Sequence, residues 1–239
     1  MNSPEIRCPF RTIAAGILSL AAIALCGCES VVGSTPQTLV RVIDASANAN
    51  GVDVYDGSTA LQYNVGEATI TGYAYVGPGN ATLSIHPAGK STVSSQIAAD
   101  LAASQQYSVY LTDSGTGYAA TLLTDQNTPA PSGNISVRFL DQASAAGPVD
   151  VYFIPDGTKL TAAKPVLTAF APASASTYLS IPVGTWDQVV VPTGVTALKS
   201  AYVSTPTVYT SGQVRTMLIV DQSLSSAPPV NVIVGDDLD

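Results

Sequence analysis

The chain has 239 residues, 46% of them hydrophobic and only 11% charged, against roughly 25% charged in an average soluble protein. That supplies enough apolar material for a core and excludes disorder by composition, while 9 basic against 17 acidic residues, net −8, excludes a nucleic-acid binder, which needs a basic face. A single His and three Cys argue against a His/Cys metal site and against His-dependent catalysis, and no P-loop, G-x-G-x-x-G, G-x-S-x-G or S-x-x-K motif is present.

In chain order, Arg7 and Arg11 precede an apolar run at 13–25 (IAAGILSLAAIAL). A basic start and a run of this length read as a secretory signal peptide, short of the about 20 apolar residues that span a bilayer. The run closes on Leu25-Cys26-Gly27-Cys28. This resembles the lipobox of bacterial lipoproteins, with Leu at −3, a small residue at −2, Gly at −1 and the acylated Cys. The resemblance implies a signal peptide at 1–27, cleavage before Cys28, acylation of Cys28 and a partner in membrane lipid, since two or three acyl chains anchor a protein firmly. In Gram-negative lipoproteins Asp at +2 tends to retain the protein at the inner membrane, so with Glu29 there the resemblance implies the outer membrane of the envelope. Cys8 and Cys26 leave with the signal, so the mature chain has neither free thiol nor disulfide and relies on its cores. Residues 28–37 read as a lipidated tether, polar and small with one Pro, reaching at most about 30 Å.

The chain then repeats itself. V-R-V-I-D-A-S from Val40 returns as V-R-F-L-D-Q-A-S from Val137, and V-D-V-Y from Val52 returns from Val149. Arg41 and Arg138, Asp53 and Asp150, Tyr55 and Tyr152 stand 97 residues apart, and Asp56-Gly57 recurs as Asp156-Gly157 after a three-residue insertion. A constant offset of this length reads as a tandem duplication of whole domains: domain 1 at 38–127, a Pro-containing linker at 128–133, domain 2 at 134–239. Short Val/Ile/Tyr/Thr-rich runs bounded by Gly, Pro, Asn or Asp predict strands at 39–43, 52–55, 70–76, 81–85, 93–99, 107–111 and 119–123. The second copy predicts strands at 136–140, 149–153, 166–170, 177–181, 186–191, 201–204, 214–220 and 230–234. The expected fold is all-β: two tandem immunoglobulin-like antiparallel β-sandwiches. Leu101 to Tyr107 has the form of a tyrosine corner, with Val214 standing at the Tyr position in the second copy.

V-R-V-I-D-A-S, V-D-V-Y-D-G, the hairpin Val76-Gly77-Pro78-Gly79-Asn80 and His86-Pro87-Ala88-Gly89 together resemble the bacterial DUF4397 domain. The resemblance covers about residues 38–236 and implies tandem copies in envelope lipoproteins. That family carries no established activity, so the resemblance speaks to fold and location alone.

Few residues invite chemistry. His86 precedes Pro87 at a strand end and reads as a turn residue. Asp44, Asp53 and Asp56, with Asp141, Asp150 and Asp156, read as turn caps rather than a Ca²⁺ site or a carboxylate pair. Arg41 and Arg138, inside apolar strands, read as structural partners of nearby Asp. Tyr73 and Tyr75 share one face of a strand and read as core or a cross-strand pair, with sugar stacking as the rival. Trp186 reads as core. Lys159 and Lys164 beside Pro165 read as edge protection. The expectation is a non-enzymatic structural or interaction protein with no catalytic residue, cofactor or metal, partnered by lipid through Cys28 and by an envelope protein or glycan. The alternative is a glycan-binding or adhesion module.

Overall fold

A computed structural model describes residues 36–155, 157–196, 201–222 and 229–238. The expected signal peptide at 1–27, Cys28, most of the expected tether, and Asp156 lie outside the described residues. The first half runs β1 (Thr38–Asp44), β2 (Val52–Asp56), β3 (Thr59–Val65), β4 (Thr69–Ile70), β5 (Ala74–Val76), β6 (Gly79–Pro87), β7 (Ser95–Leu101), β8 (Gln106–Ser114) and β9 (Gly117–Asp125). The second runs β10 (Asn134–Asp141), β11 (Val149–Pro155), a single 3-10 turn (Leu160–Ala162), β12 (Leu167–Phe170), β13 (Ser174–Ala175), β14 (Leu179–Pro182), β15 (Gly184–Pro192), β16 (Tyr202–Val203), β17 (Thr207–Tyr209), β18 (Val214–Asp221) and β19 (Val230–Asp236). Nearly every predicted strand is present.

Period-2 alternation builds the layers. Sheet A has the order β4-β1-β8-β9 with β5 also on β1, and sheet B has β3-β2-β6-β7. Val40, Val42, Val109 and Leu111 from A meet Val52, Val54, Leu83 and Ile85 from B in one buried core. The second half repeats this with sheet C, β13-β10-β18-β19 plus β14, and sheet D, β12-β11-β15-β16 plus β17. Val137, Phe139, Met217 and Ile219 meet Val149, Val151, Phe153 and Val190 between them. The sheets are antiparallel with one correction: β1 lies parallel to β8, and β10 to β18. Parallel neighbours need a long crossover, and here the chain supplies it through the opposite sheet.

The predicted strand at 70–76 is broken. Thr71 takes a ladder position through its side chain, its Oγ1 accepting from Val42 N–H at 3.0 Å, and β4 and β5 pair separately with β1. Tyr73 therefore sits outside a strand. The Ser95–Leu101 segment, Ala-rich enough to invite a helix, is strand β7. The tyrosine corner is present: Ala102 N–H donates to Tyr107 Oη at 3.0 Å. Its counterpart needs correcting, because Val40 faces Tyr107 as Val137 faces Arg215. Arg215, not Val214, holds the Tyr position, and it pairs with Asp236 instead.

The outward residues of sheets A and C face each other. Ile43, Ala45 and Tyr110 pack on Leu140, Leu218 and Val220. Beside them lie two Arg–Asp pairs, exchanged across the contact. Arg41 Nη2 donates to Asp237 Oδ1 at 2.7 Å, and Arg138 Nη2 donates to Asp125 Oδ1 at 2.7 Å. All four side chains are buried. Ser108, Thr216, Tyr73 and Tyr178 hydroxyls donate to the same carboxylates at 2.6–2.7 Å, and each tyrosine ring lies under one guanidinium, at 4.8 and 5.0 Å. Burial works against the Arg41 charge, but Asp237 and Asp125 hold its pKa above the ordinary guanidinium value. The arginines are thus structural, as the sequence suggests, but sealed between halves rather than facing solvent. The segment read as a linker docks too: Ala130 is buried and its N–H donates to Gly212 O at 3.1 Å. Residues Ser34–Asp239 form one compact unit.

Candidate functional site

The outer face of sheet B carries the site. With Val54 and Ile85 turned inward, Tyr55 on β2 and His86 on β6 turn outward. The Tyr55 ring meets His86 at 4.9 Å and meets Tyr63 of β3 edge-on at 6.0 Å and 90°. Tyr63 is 67% exposed. β3 brings Tyr63 there through a ladder whose register shifts twice against β2. His86 Nε2 is 3.1 Å from Ser84 Oγ. Two adjoining depressions of about 540 and 290 Å³ share Tyr55, Lys90 and Ser91. Desolvation first, then Tyr63 and Asp53, push the Tyr55 phenol above its usual pKa.

Asp53 builds the rim. Its Oδ1 accepts from Asn64 N–H and its Oδ2 from Gly89 N–H, both at 2.8 Å. It ties two loops down, and Asn64 adopts φ 48 to reach it, a left-handed conformation that Asn tolerates better than most side chains. Asp150 does the same in the second half, accepting from Ala169 N–H at 2.8 Å and Gly194 N–H at 3.3 Å. These loops and the ladders fix the correspondence between halves. Asp53 faces His86 as Asp150 faces Val191, and Tyr55 faces Ser84 as Tyr152 faces Val189. Tyr63 then corresponds to Thr168 and Lys90 to Val195.

The same face has opposite fates in the two halves. In the second, Tyr152, Ile154, Val189 and Val191 are buried under Leu160 and Ala201, with Val195 and Ala163 packed beside them. The segment from Tyr152 to Thr168, eight residues longer than that from Tyr55 to Tyr63, supplies the covering 3-10 turn. In the first, β2 turns straight into β3 and the face stays open, its Val positions replaced by Ser84, His86 and Lys90.

The other sequence candidates are placed as follows. Asp44 and Asp141 cap turns, accepting from Ser46 N–H at 3.0 Å and Ala143 N–H at 2.8 Å. Burial raises the pKa of each to about 7, and Oδ2 of each has no hydrogen-bond partner. Asp56 ends β2 at the Gly57 turn. Among the described residues no three His, Cys, Asp or Glu gather as a metal ligand set. Tyr73 stacks on Arg41 while Tyr75 is 72% exposed; they do not form a pair. Trp186 packs at the edge of the second core, its Nε1 donating to Pro182 O at 3.0 Å. The exposed aromatic pair is Tyr55–Tyr63, which the sequence reading did not single out, and His86 belongs to it rather than to a turn.

The family described as "Domain of unknown function (DUF4397)" matches residues 38–152, and a DUF4397 domain is found there. No curated protein matches the chain. Among solved structures, a family 26 carbohydrate-binding module from Eubacterium rectale Amy13K, in complex with maltoheptaose, is similar over 85% of this chain and 98% of its own, at 6% identity and a TM-score of 0.23. A likeness at that score carries no argument about what this chain binds.

Proposed function

We propose that the chain is a lipoprotein of the bacterial outer membrane, anchored through Cys28, that acts without catalysis as a binding module. On this reading the two halves are tandem domains, 38–127 and 134–239, with divided roles: the second is structural and the first presents the binding face. One observation carries the division. A single scaffold face is sealed by the chain itself in one half and left open, with aromatic and polar side chains, in the other. Binding sites combine apolar and aromatic walls with a few placed polar groups, and the Tyr55–Tyr63–His86 face with Lys90 and Ser91 has that make-up. The Tyr55–Tyr63 pair favours a glycan over a protein partner, because a sugar ring lays its C–H face on an aromatic ring while its hydroxyls meet the polar rim.

Two measurements test this. Mass spectrometry of the N-terminal peptide is expected to find acylated Cys28; an unmodified Cys28 overturns the anchoring. The mature chain with Cys28→Ala, immobilised, is expected to retain a protease-treated envelope glycan fraction and to lose it with Tyr63→Ala. Equal retention by both forms overturns the binding face.

A further inference from the structure

We infer that the ligand of this face is a saccharide residue bearing a carboxylate, its ring on Tyr63 and Tyr55 and its carboxylate paired with Lys90. The inference rests on the binding-face reading above and names the chemistry that face selects.

Lys90 is the only lysine between residues 38 and 133, a stretch with seven acidic residues. The other cation there, Arg41, is 1% exposed and committed to the buried pairs. The half's one exposed cation therefore sits beside its one exposed aromatic cluster, lining both depressions. Among the described residues Lys90 makes no ion pair. Asp53, which lines the larger depression with it, has both oxygens taken by backbone N–H groups. The corresponding residue, Val195, is packed against the covered face of the second half. A charge thus stands where the fold elsewhere uses an apolar side chain, and it stands only on the open face.

The geometry suits a sugar acid. Rings at 90° offer one stacking face and one edge, and the combined space lies within the roughly 300–1,000 Å³ of ligand sites. A lysine recognises an anion as a point charge, so one carboxylate suffices for it. The repulsion expected from the net charge of −8 is screened beyond about 8 Å at physiological salt, which leaves the local pairing dominant.

The test is calorimetric titration of the mature Cys28→Ala chain with trigalacturonate, with the neutral galactose trimer, and with a muramic-acid-bearing disaccharide. Expected are at least tenfold tighter binding of one acidic probe than of the neutral one, loss of that margin in Lys90→Met or in 0.5 M salt, and loss of all binding in Tyr63→Ala. The acidic probe bound more tightly identifies the source, uronate polymer or cell wall. Equal binding of acidic and neutral probes, or a Lys90→Met variant unchanged, overturns the inference and leaves the binding face standing. If no probe binds while the envelope glycan fraction is still retained through Tyr63, the carboxylate assignment alone fails; if that retention is also absent, both fail.

Discussion

Replacing Asp125 by Asn removes one of four charges from the seam between the halves. The carboxylate accepts from Arg138 Nη2 at 2.7 Å, Ser108 Oγ at 2.6 Å and Tyr73 Oη at 2.7 Å, with Arg41 Nε at 3.6 Å. Its side chain is 0% exposed. The variant buries two guanidinium groups against one carboxylate, and an uncompensated buried charge costs about 3–5 kcal/mol. For a unit of this size each kcal/mol moves the melting temperature by about 2–4 °C, so thermal melts should fall by roughly 6–20 °C. Two comparisons isolate the cause. Asp236→Asn breaks the partly exposed pair with Arg215, which should cost no more than about 1 kcal/mol. Asp125→Asn with Arg138→Met removes a whole pair and leaves Arg41–Asp237 neutral, so it should recover much of the loss. Melting of residues 28–239 carrying Cys28→Ala, followed by circular dichroism, reads all three. An Asp125→Asn variant melting within about 2 °C of the parent, or a double variant no better than the single, refutes the reasoning.

Asp44 and Asp141 have folded-state pKa values raised from 3.8 to about 7 by burial. The fold favours their protonated forms, so their contribution is complete below about pH 4 and is lost as pH rises through 7, by on the order of a few kcal/mol. Urea midpoints from pH 4 to 8 should therefore shift in favour of the Asp44→Asn/Asp141→Asn variant as pH increases; a constant difference contradicts this. A Cβ at Gly235 would lie 2.9 Å from Ile70 Cγ2 and 3.4 Å from Arg41 Nη1, so Gly235→Ala should cost about 1–3 kcal/mol by overpacking, and adding Ile70→Ala should lessen the Gly235→Ala penalty in a double-mutant cycle of melts. Tyr107→Phe removes the hydroxyl that accepts from Ala102 N–H and should cost about 1 kcal/mol in the same assay.

Alternation made the strands legible, because Val, Ile and Tyr recur every second residue against a solvated or half-solvated face. In strand β3, TALQYNV, Leu61, Tyr63 and Val65 alternate with Gln62 and Asn64, so the pattern alone sets Tyr63 on the core side with Leu61 and Val65; the two register shifts against β2, invisible in the sequence, accompany its exposed position. That strand carries Tyr63. Arg41 could be read as a structural partner of Asp from its place in an apolar strand. Its burial could not, because the second covering layer comes from residues almost 200 positions away. His86 was hidden by Pro87, which marks a strand end without saying which face the preceding side chain joins. The site becomes visible only when the halves are matched through Asp53/Asp150 and Gly89/Gly194, since eight extra residues between Tyr152 and Thr168 shift the offset of Tyr63 to Thr168 and of Lys90 to Val195 from 97 to 105.

The exchanged pairs also order events in time. Arg41 lies in the first strand of the described residues, and its shortest carboxylate contact, Asp237, is 196 residues later. Within its own half the guanidinium has Ser108 Oγ at 2.8 Å and Asp125 at 3.6 Å, and the Ile43–Tyr110 surface stays uncovered until Leu140, Leu218 and Val220 follow. Contacts spanning such separations form late and slowly. By that separation the seam is expected to close last, and a chain ending before residue 140 would leave Ile43 and Tyr110 without the residues that cover them and Arg41 without Asp237.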